Sequence, residues 1–288
     1  MSTVEDTILR AENISRIVDG FALSEYRFKQ LAMIQSSNSW QETYYEETNT
    51  DLTGGTGSAV EGVPRLANFP YGEVEWTQRT SHMKKHALEG KISWEDATTG
   101  NVDEVARTLL RVARGVTKSV DAEIWDVLTE SRSASRINSL SIAAGSEWNS
   151  ATVANRDPIQ NILDALKEIA TDNYDPYGGY LLLNPKDYAN LLGNANVRNA
   201  GQFYTSDVTK NGRLGNLLGL SIIVSNNVTA DYAAVVAGKE ALTWKQAKPL
   251  TTKVIENFGI DYKIRSWEVG AAQLKNPEAV CLISNTAA

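Results

Sequence analysis

The sequence predicts an α+β fold in which one very long helix stands among strand-rich segments. Three observations carry this expectation. A 3.6-residue apolar period runs unbroken through residues 101–130. A helix, a turn, a short strand and another helix follow one another through residues 157–192. Four strand-like stretches then fill residues 242–284. The chain has 288 residues, 42% of them hydrophobic and 22% charged. That is an ordinary globular composition with a prior of about two domains, and it excludes a disordered chain, a fibre or a disulfide-stapled miniprotein.

At the start of the chain, Val4, Ile8, Ala11, Ile14 and Val18 recur at three- and four-residue steps between charges, which predicts an amphipathic helix. Gly20 breaks it, and Tyr26, Phe28, Leu31 and Ile34 carry a looser apolar pattern to a Ser/Asn-rich break at 36–39. These first 39 residues are expected to form an arm. Residues 40–47 read as a strand, and Val74 and Trp76 alternating with Glu73, Glu75 and Thr77 read as a second, half-exposed one. Between them, residues 51–72 hold Gly54, Gly55, Gly57, Gly62, Gly72, Pro64 and Pro70, too much punctuation for regular structure. A loop that long is either functional and partner-bound or a flexible excursion.

In the long helix, Val105, Leu109, Val112, Val116, Val120, Ile124 and Leu128 share one face, with Asn101 and Glu104 placed as a capping box. Asp157-Pro158 opens the next helix through a cap and an N1 proline. Tyr180 to Leu183 is a short apolar run and predicts a buried strand, followed by a helix from Pro185 through Leu192. Residues 220–224 and 233–237 predict further strands. Near the C-terminus the strand-like stretches are 243–248, 252–257, 262–269 and 279–283.

No catalytic constellation emerges. His82 and His86 lie in HMKKH, where Met83 occupies the position a zinc protease needs for its glutamate, so both read as solvent-facing strand histidines. The glycine-rich run at 53–58 lacks the G-K-[ST] ending of a phosphate loop. The single cysteine, Cys281, sits in AVCLI and reads as a small buried hydrophobe. Adjacent acids such as Glu46-Glu47 read as surface charge. The net charge of −7 argues against a sequence-reading DNA module. With no signal peptide and no apolar run near the ~20 residues of a bilayer span, an intracellular product without a membrane role is expected. One charged feature stands out on the long helix: Arg107, Arg111, Arg114 and Lys118, at steps of four, three and four, stack along one side. Such a stripe either neutralises phosphates without reading sequence or is a salt-bridged face with Asp103 and Asp121 as partners.

The stretch GRLGNLLGLSIIVSNNV at 212–228 and the closing RSWEVGAAQLKNPEAVCLI at 265–283, taken with the order arm, glycine-rich hairpin, long helix, α/β segment and returning strands, resemble the major capsid proteins of tailed double-stranded DNA viruses, the Hong Kong 97-type fold. The resemblance implies an N-terminal arm at 1–39, with Ile8, Ile14 and Val18 as its contacts, and an extended E-loop at 40–94. It implies a P-domain segment at 95–156 with the spine helix at 101–130, an α/β A-domain at 157–238, and a return to P-domain strands at 239–288. E-loop residues Asp51, Gly54, Gly55, Glu61, Pro64, Arg65, Phe69 and Trp76 would then touch a neighbouring subunit, and Arg107, Arg111, Arg114 and Lys118 would face DNA inside the shell. The implied function is that of a non-enzymatic subunit assembling with itself into hexamers and pentamers of an icosahedral shell. The shell would enclose double-stranded DNA without sequence specificity, with no cofactor and no metal. Separate scaffolding, portal or decoration proteins would be further partners, and the protein would reside in the virion, and in host cytoplasm during assembly. Some members crosslink through an E-loop lysine; residues 51–72 contain none, so no such link is expected. The alternative is an encapsulin-type compartment shell that encloses cargo enzymes.

Overall fold

The computed structural model describes residues 26–46, 62–69, 76–95, 102–195, 197, 215–257 and 259–287, with side chains described from residue 107 onward in the long helix. That helix, α1 (Val102–Leu128), has 27 residues and is about 40 Å long at ~1.5 Å per residue. The predicted capping box lies outside the described residues and side chains. Two sheets pack against the two halves of α1, and a third, two-stranded sheet joins the body at one end.

The first sheet has the order β1-β10-β11-β4, where β1 is Met33–Ser36, β4 is Lys84–Ser93, β10 is Leu242–Asn257 and β11 is Asp261–Leu274. β1 runs parallel to β10, and the long β10–β11 hairpin pairs antiparallel with β4. The sequence predicts two strands where β10 is one. Pro249 has no N–H to give the ladder, and the register shifts between Lys248 and Thr251 absorb it as a bulge.

The second sheet has the order β5-β12-β9-β6-β8-β7: β5 (Asn138–Ser141), β12 (Val280–Ser284), β9 (Tyr232–Val236), β6 (Tyr180–Leu183), β8 (Leu220–Val224) and β7 (Asn216–Leu217). Helices α2 (Pro158–Thr171) and α3 (Pro185–Gly193) complete this half. The predicted cap of α2 is present, since the Asp157 carboxylate accepts the Gln160 N–H with Pro158 at N1. The third sheet pairs β2 (Gln41–Glu46) with β3 (Thr77–His82). The strand expected around Trp76 therefore starts at Thr77, and residues 70–75 lie outside the described ones.

The core follows from which face of α1 meets which sheet. Leu109 and Ala113 pack with Ile92 and Ile264 of the four-stranded sheet. Val120, Ile124, Trp125 and Leu128 enter the main core with Phe28, Leu31 and the inner residues of the six-stranded sheet. Burying each such side chain contributes roughly 1.5–3 kcal/mol, so the one helix links two sheets that have no strand in common.

Three segment boundaries change accordingly. The arm cannot extend through residue 39, because Phe28 and Leu31 are fully buried and Met33–Ser36 is a sheet strand. β4, placed with the E-loop by sequence, is an edge strand of the four-stranded sheet. β12, placed with the returning P-domain strands, pairs instead with β5 and β9 in the six-stranded sheet. Alternation marks a strand's buried face but not its neighbour, and partner choice here is made by residues from about forty to more than two hundred positions apart.

Candidate functional site

The β2–β3 hairpin is fastened at both ends of its ladder by polar contacts. Gln273 Nε2 donates to Ser81 Oγ at 2.7 Å, and Lys245 Nζ lies 3.3 Å from Glu42 Oε2. Glu46 is buried and takes Arg79 Nε at 3.1 Å together with Arg136 from the chain after α1. Glu46 is thus an internal ion-pair centre rather than the surface charge its sequence context suggests.

The same hairpin carries exposed rings. Tyr45 and Trp76 meet edge to face with centroids 6.5 Å apart, yet each remains more than half exposed, and Phe69 is 88% exposed. Pro64 and Arg65 are exposed as well. Single exposed apolar residues are ordinary, and large rings gathered in one exposed patch are the more unusual observation. Asp51, Gly54, Gly55 and Glu61, and the arm residues Ile8, Ile14 and Val18, lie outside the described residues. Trp40 and Tyr45 were missed by sequence reasoning: a strand at residues 40–47 was legible, but not that both of these rings stay exposed.

Arg107, Arg111, Arg114 and Lys118 are all exposed on one side of α1, opposite Leu109, Val112, Val116 and Val120. Of the two expected salt-bridge partners, Asp103 has no described side chain. Asp121 is buried: its oxygens accept the backbone N–H of Arg27 at 2.9 Å and of Phe28 at 3.1 Å. It fastens the segment before β1 to the helix instead of pairing with the stripe.

His82 is exposed, but His86 is buried, which corrects the expectation of two solvent-facing histidines. His86 Nδ1 lies 2.8 Å from Ser119 Oγ, and Nε2 lies 3.0 Å from Glu123 Oε2 at an angle that makes no hydrogen bond. With Lys84 Nζ 3.5 Å from Glu123 Oε1, the group clamps β4 onto α1. Cys281 is fully buried, and burial pushes its thiol up to about 12, so no thiolate forms at neutral pH. Among the described residues no group of His, Cys, Asp or Glu is placed to hold a metal ion, and no helix is long and apolar enough to cross a membrane.

The "Phage capsid protein" family profile matches residues 79–283, well over half of the chain. No curated protein matches the sequence. Among solved structures, a virus-like particle from Pyrococcus furiosus is similar with a TM-score of 0.64 at 15% identity, over 96% of this chain and 100% of that one. The capsid of the cyanophage P-SCSP1u gives 0.66 at 12%, over 89% and 87%. A protein of Mycobacterium phage Che8 gives 0.62 at 17%, over 87% and 86%. These likenesses establish the Hong Kong 97-type capsid fold, with α1 as its spine helix, and the profile match establishes kinship: the chain belongs to the phage capsid protein family.

Proposed function

We propose that this capsid protein assembles into hexamers and pentamers of an icosahedral shell around double-stranded DNA and has no catalytic role. The observation that carries the reading is the β2–β3 hairpin, which holds Tyr45, Phe69 and Trp76 in solvent although each ring has a large apolar area to bury. A neighbouring subunit supplies the cover a single chain lacks. In this reading the hairpin and residues 47–76 form the E-loop, residues before Tyr26 form the arm, and the six-stranded sheet with α2 and α3 forms most of the A-domain. The basic side of α1 lies toward the genome, where Arg107, Arg111, Arg114 and Lys118 neutralise phosphates irrespective of sequence. Separate scaffolding, portal or decoration proteins join assembly in the host cytoplasm.

Electron microscopy of the purified protein tests the shell: closed particles of uniform diameter are expected, and persistent monomers or dimers at high concentration refute it. The end-to-end likeness to a virus-like particle favours a second reading, a compartment shell loaded with cargo enzymes. Nuclease-protected DNA inside the particles decides for the capsid, and a co-purifying enzyme for the compartment.

A further inference from the structure

We propose that the cleft between the middle of α1 and the turn after β8 is a binding site for a phosphate group. The cleft has a volume of about 460 Å³ and is lined by Arg27, Arg114 and Lys118 together with Pro185 and the turn at 224–227. Asp121 is the one carboxylate among the described lining residues, and its two oxygens are engaged by the amides of Arg27 and Phe28. Among the described lining residues the cations therefore outnumber the acids, and the acid present already has hydrogen-bond donors of its own.

The place in the fold favours the same ligand. β6 and β8 are parallel neighbours in register from Tyr180↔Ser221 to Leu183↔Val224, so their carboxyl ends open together. Val224 and Ser225 at the end of β8 and Pro185, the first residue of α3, line the cleft. In α/β sheets the crevice outside the carboxyl ends of parallel strands is where ligands settle, and a helix starting there adds partial positive charge. The walls are braced: Arg27 Nη1 donates to the Val224 carbonyl at 2.7 Å, and Asn227 Nδ2 donates to the Lys118 carbonyl at 3.2 Å. The Arg27 guanidinium, held by one nitrogen, keeps its other donors for a planar, bidentate grip on an oxyanion, and Lys118 supplies a point charge.

A site of this size takes a phosphate with its attached sugars or a free phosphate equally well, so the shared chemistry is the phosphate group itself. The proposal deepens the reading that the basic side of α1 meets packaged DNA. It rests on that reading for the source of the phosphate, not for the site.

Two titrations of the purified full-length protein test it: inorganic phosphate followed by calorimetry, and a 20-base-pair duplex followed by fluorescence anisotropy. Each is made on wild type, Lys118→Gln, Arg27→Gln and the distant stripe variant Arg107→Gln, with melting temperatures checked without ligand. Saturable phosphate binding is expected, weakened about tenfold by Lys118→Gln and by Arg27→Gln and unchanged by Arg107→Gln, since loss of one charge-assisted hydrogen bond is worth at least that much. Duplex affinity should fall in all three. No saturable phosphate binding, or equal binding by wild type and Lys118→Gln, overturns the site. If phosphate behaves as expected while no variant alters duplex affinity, the site stands with free phosphate as its ligand and the DNA-facing reading falls. If Arg107→Gln weakens the duplex but phosphate does not bind, the DNA-facing reading stands and the cleft proposal falls.

Discussion

The ammonium of Lys29 lies 2.5 Å from the carboxylate of Glu268, a fully buried residue 239 positions later in the chain. Glu268 also accepts Trp244 Nε1 at 3.2 Å, Gln246 Nε2 at 3.0 Å and the Tyr26 hydroxyl. Four donors around one carboxylate fix where the chain enters the body. Removing the carboxylate strands a half-buried lysine and two ring donors, so Glu268→Ala should cost about 3–5 kcal/mol in urea unfolding. Lys29→Met leaves three neutral donors in place and should cost less, about 1–3 kcal/mol. Equal losses would contradict the assignment of Glu268 as the centre.

Asp121 makes stability depend on pH. Burial raises its carboxyl from 3.8 to about 6, against the amide hydrogen bonds that lower it. The folded protein therefore binds this proton more tightly than the unfolded chain. The contribution is fully present below about pH 4 and is lost as the pH rises through about 6. Unfolding free energies measured at intervals across this window should show the decline in wild type and lose that component in Asp121→Asn.

Two glycines sit at close approaches of opposite consequence. A Cβ at Gly115 would meet the end of the Leu88 side chain, which is partly exposed and free to move, whereas one at Gly270 would meet the buried Trp244 ring and lies 2.8 Å from the Lys245 carbonyl oxygen. Gly115→Ala should be neutral or stabilising by up to about 1 kcal/mol through helix propensity. Gly270→Ala should cost about 1–3 kcal/mol or more. Thermal melts of the two variants should move in different directions.

After α1 the chain turns through Glu130, Ser131 and Arg132, all at positive φ. Each such non-glycine residue costs roughly 1–2 kcal/mol relative to an ordinary conformation. Ser131, at φ 53, is exposed. Ser131→Gly should raise stability by up to about 1 kcal/mol, read as an upward shift of the melting temperature.

The hairpin rings are exposed in the single chain, so Trp76→Ser and Phe69→Ser should leave monomer stability within about 0.5 kcal/mol. The same changes should reduce the yield of assembled particles on sedimentation. Deleting residues 53–65 should go further and leave a folded subunit that does not assemble; normal particles from that deletion would remove the hairpin from the interface.

Much of this architecture is legible without coordinates wherever one period dominates. Leu109 through Leu128 keep a helical stripe because the whole stripe is buried, and Asp157-Pro158 marks its helix by a cap that acts locally. The boundaries fail where local and distant forces compete. Phe28 and Leu31 sit in a short, irregular stretch whose burial comes from Trp125 and the sheets, so no local period announces it. Glu46 and His86 look like surface residues because their partners, Arg136 and Glu123, are distant in the chain. Of the candidate surface, the basic stripe of α1 is readable as spacing on a helix. Arg27 is not, since it joins the stripe only through the turn that Asp121 holds.

The sequence by itself determined the long spine helix, the α/β segment, the apolar strands β6 and β8, and the lack of any recognisable catalytic motif, because each depends on neighbours within a few residues. Only the tertiary structure decided that β4 closes the four-stranded sheet, that β12 crosses to the other, and that Arg27, Arg114 and Lys118 converge on one cleft. Those outcomes depend on which distant strands pair and in what register. A residue's own alternation or charge shows the kind of face it occupies, and only the folded chain supplies what lies across from it.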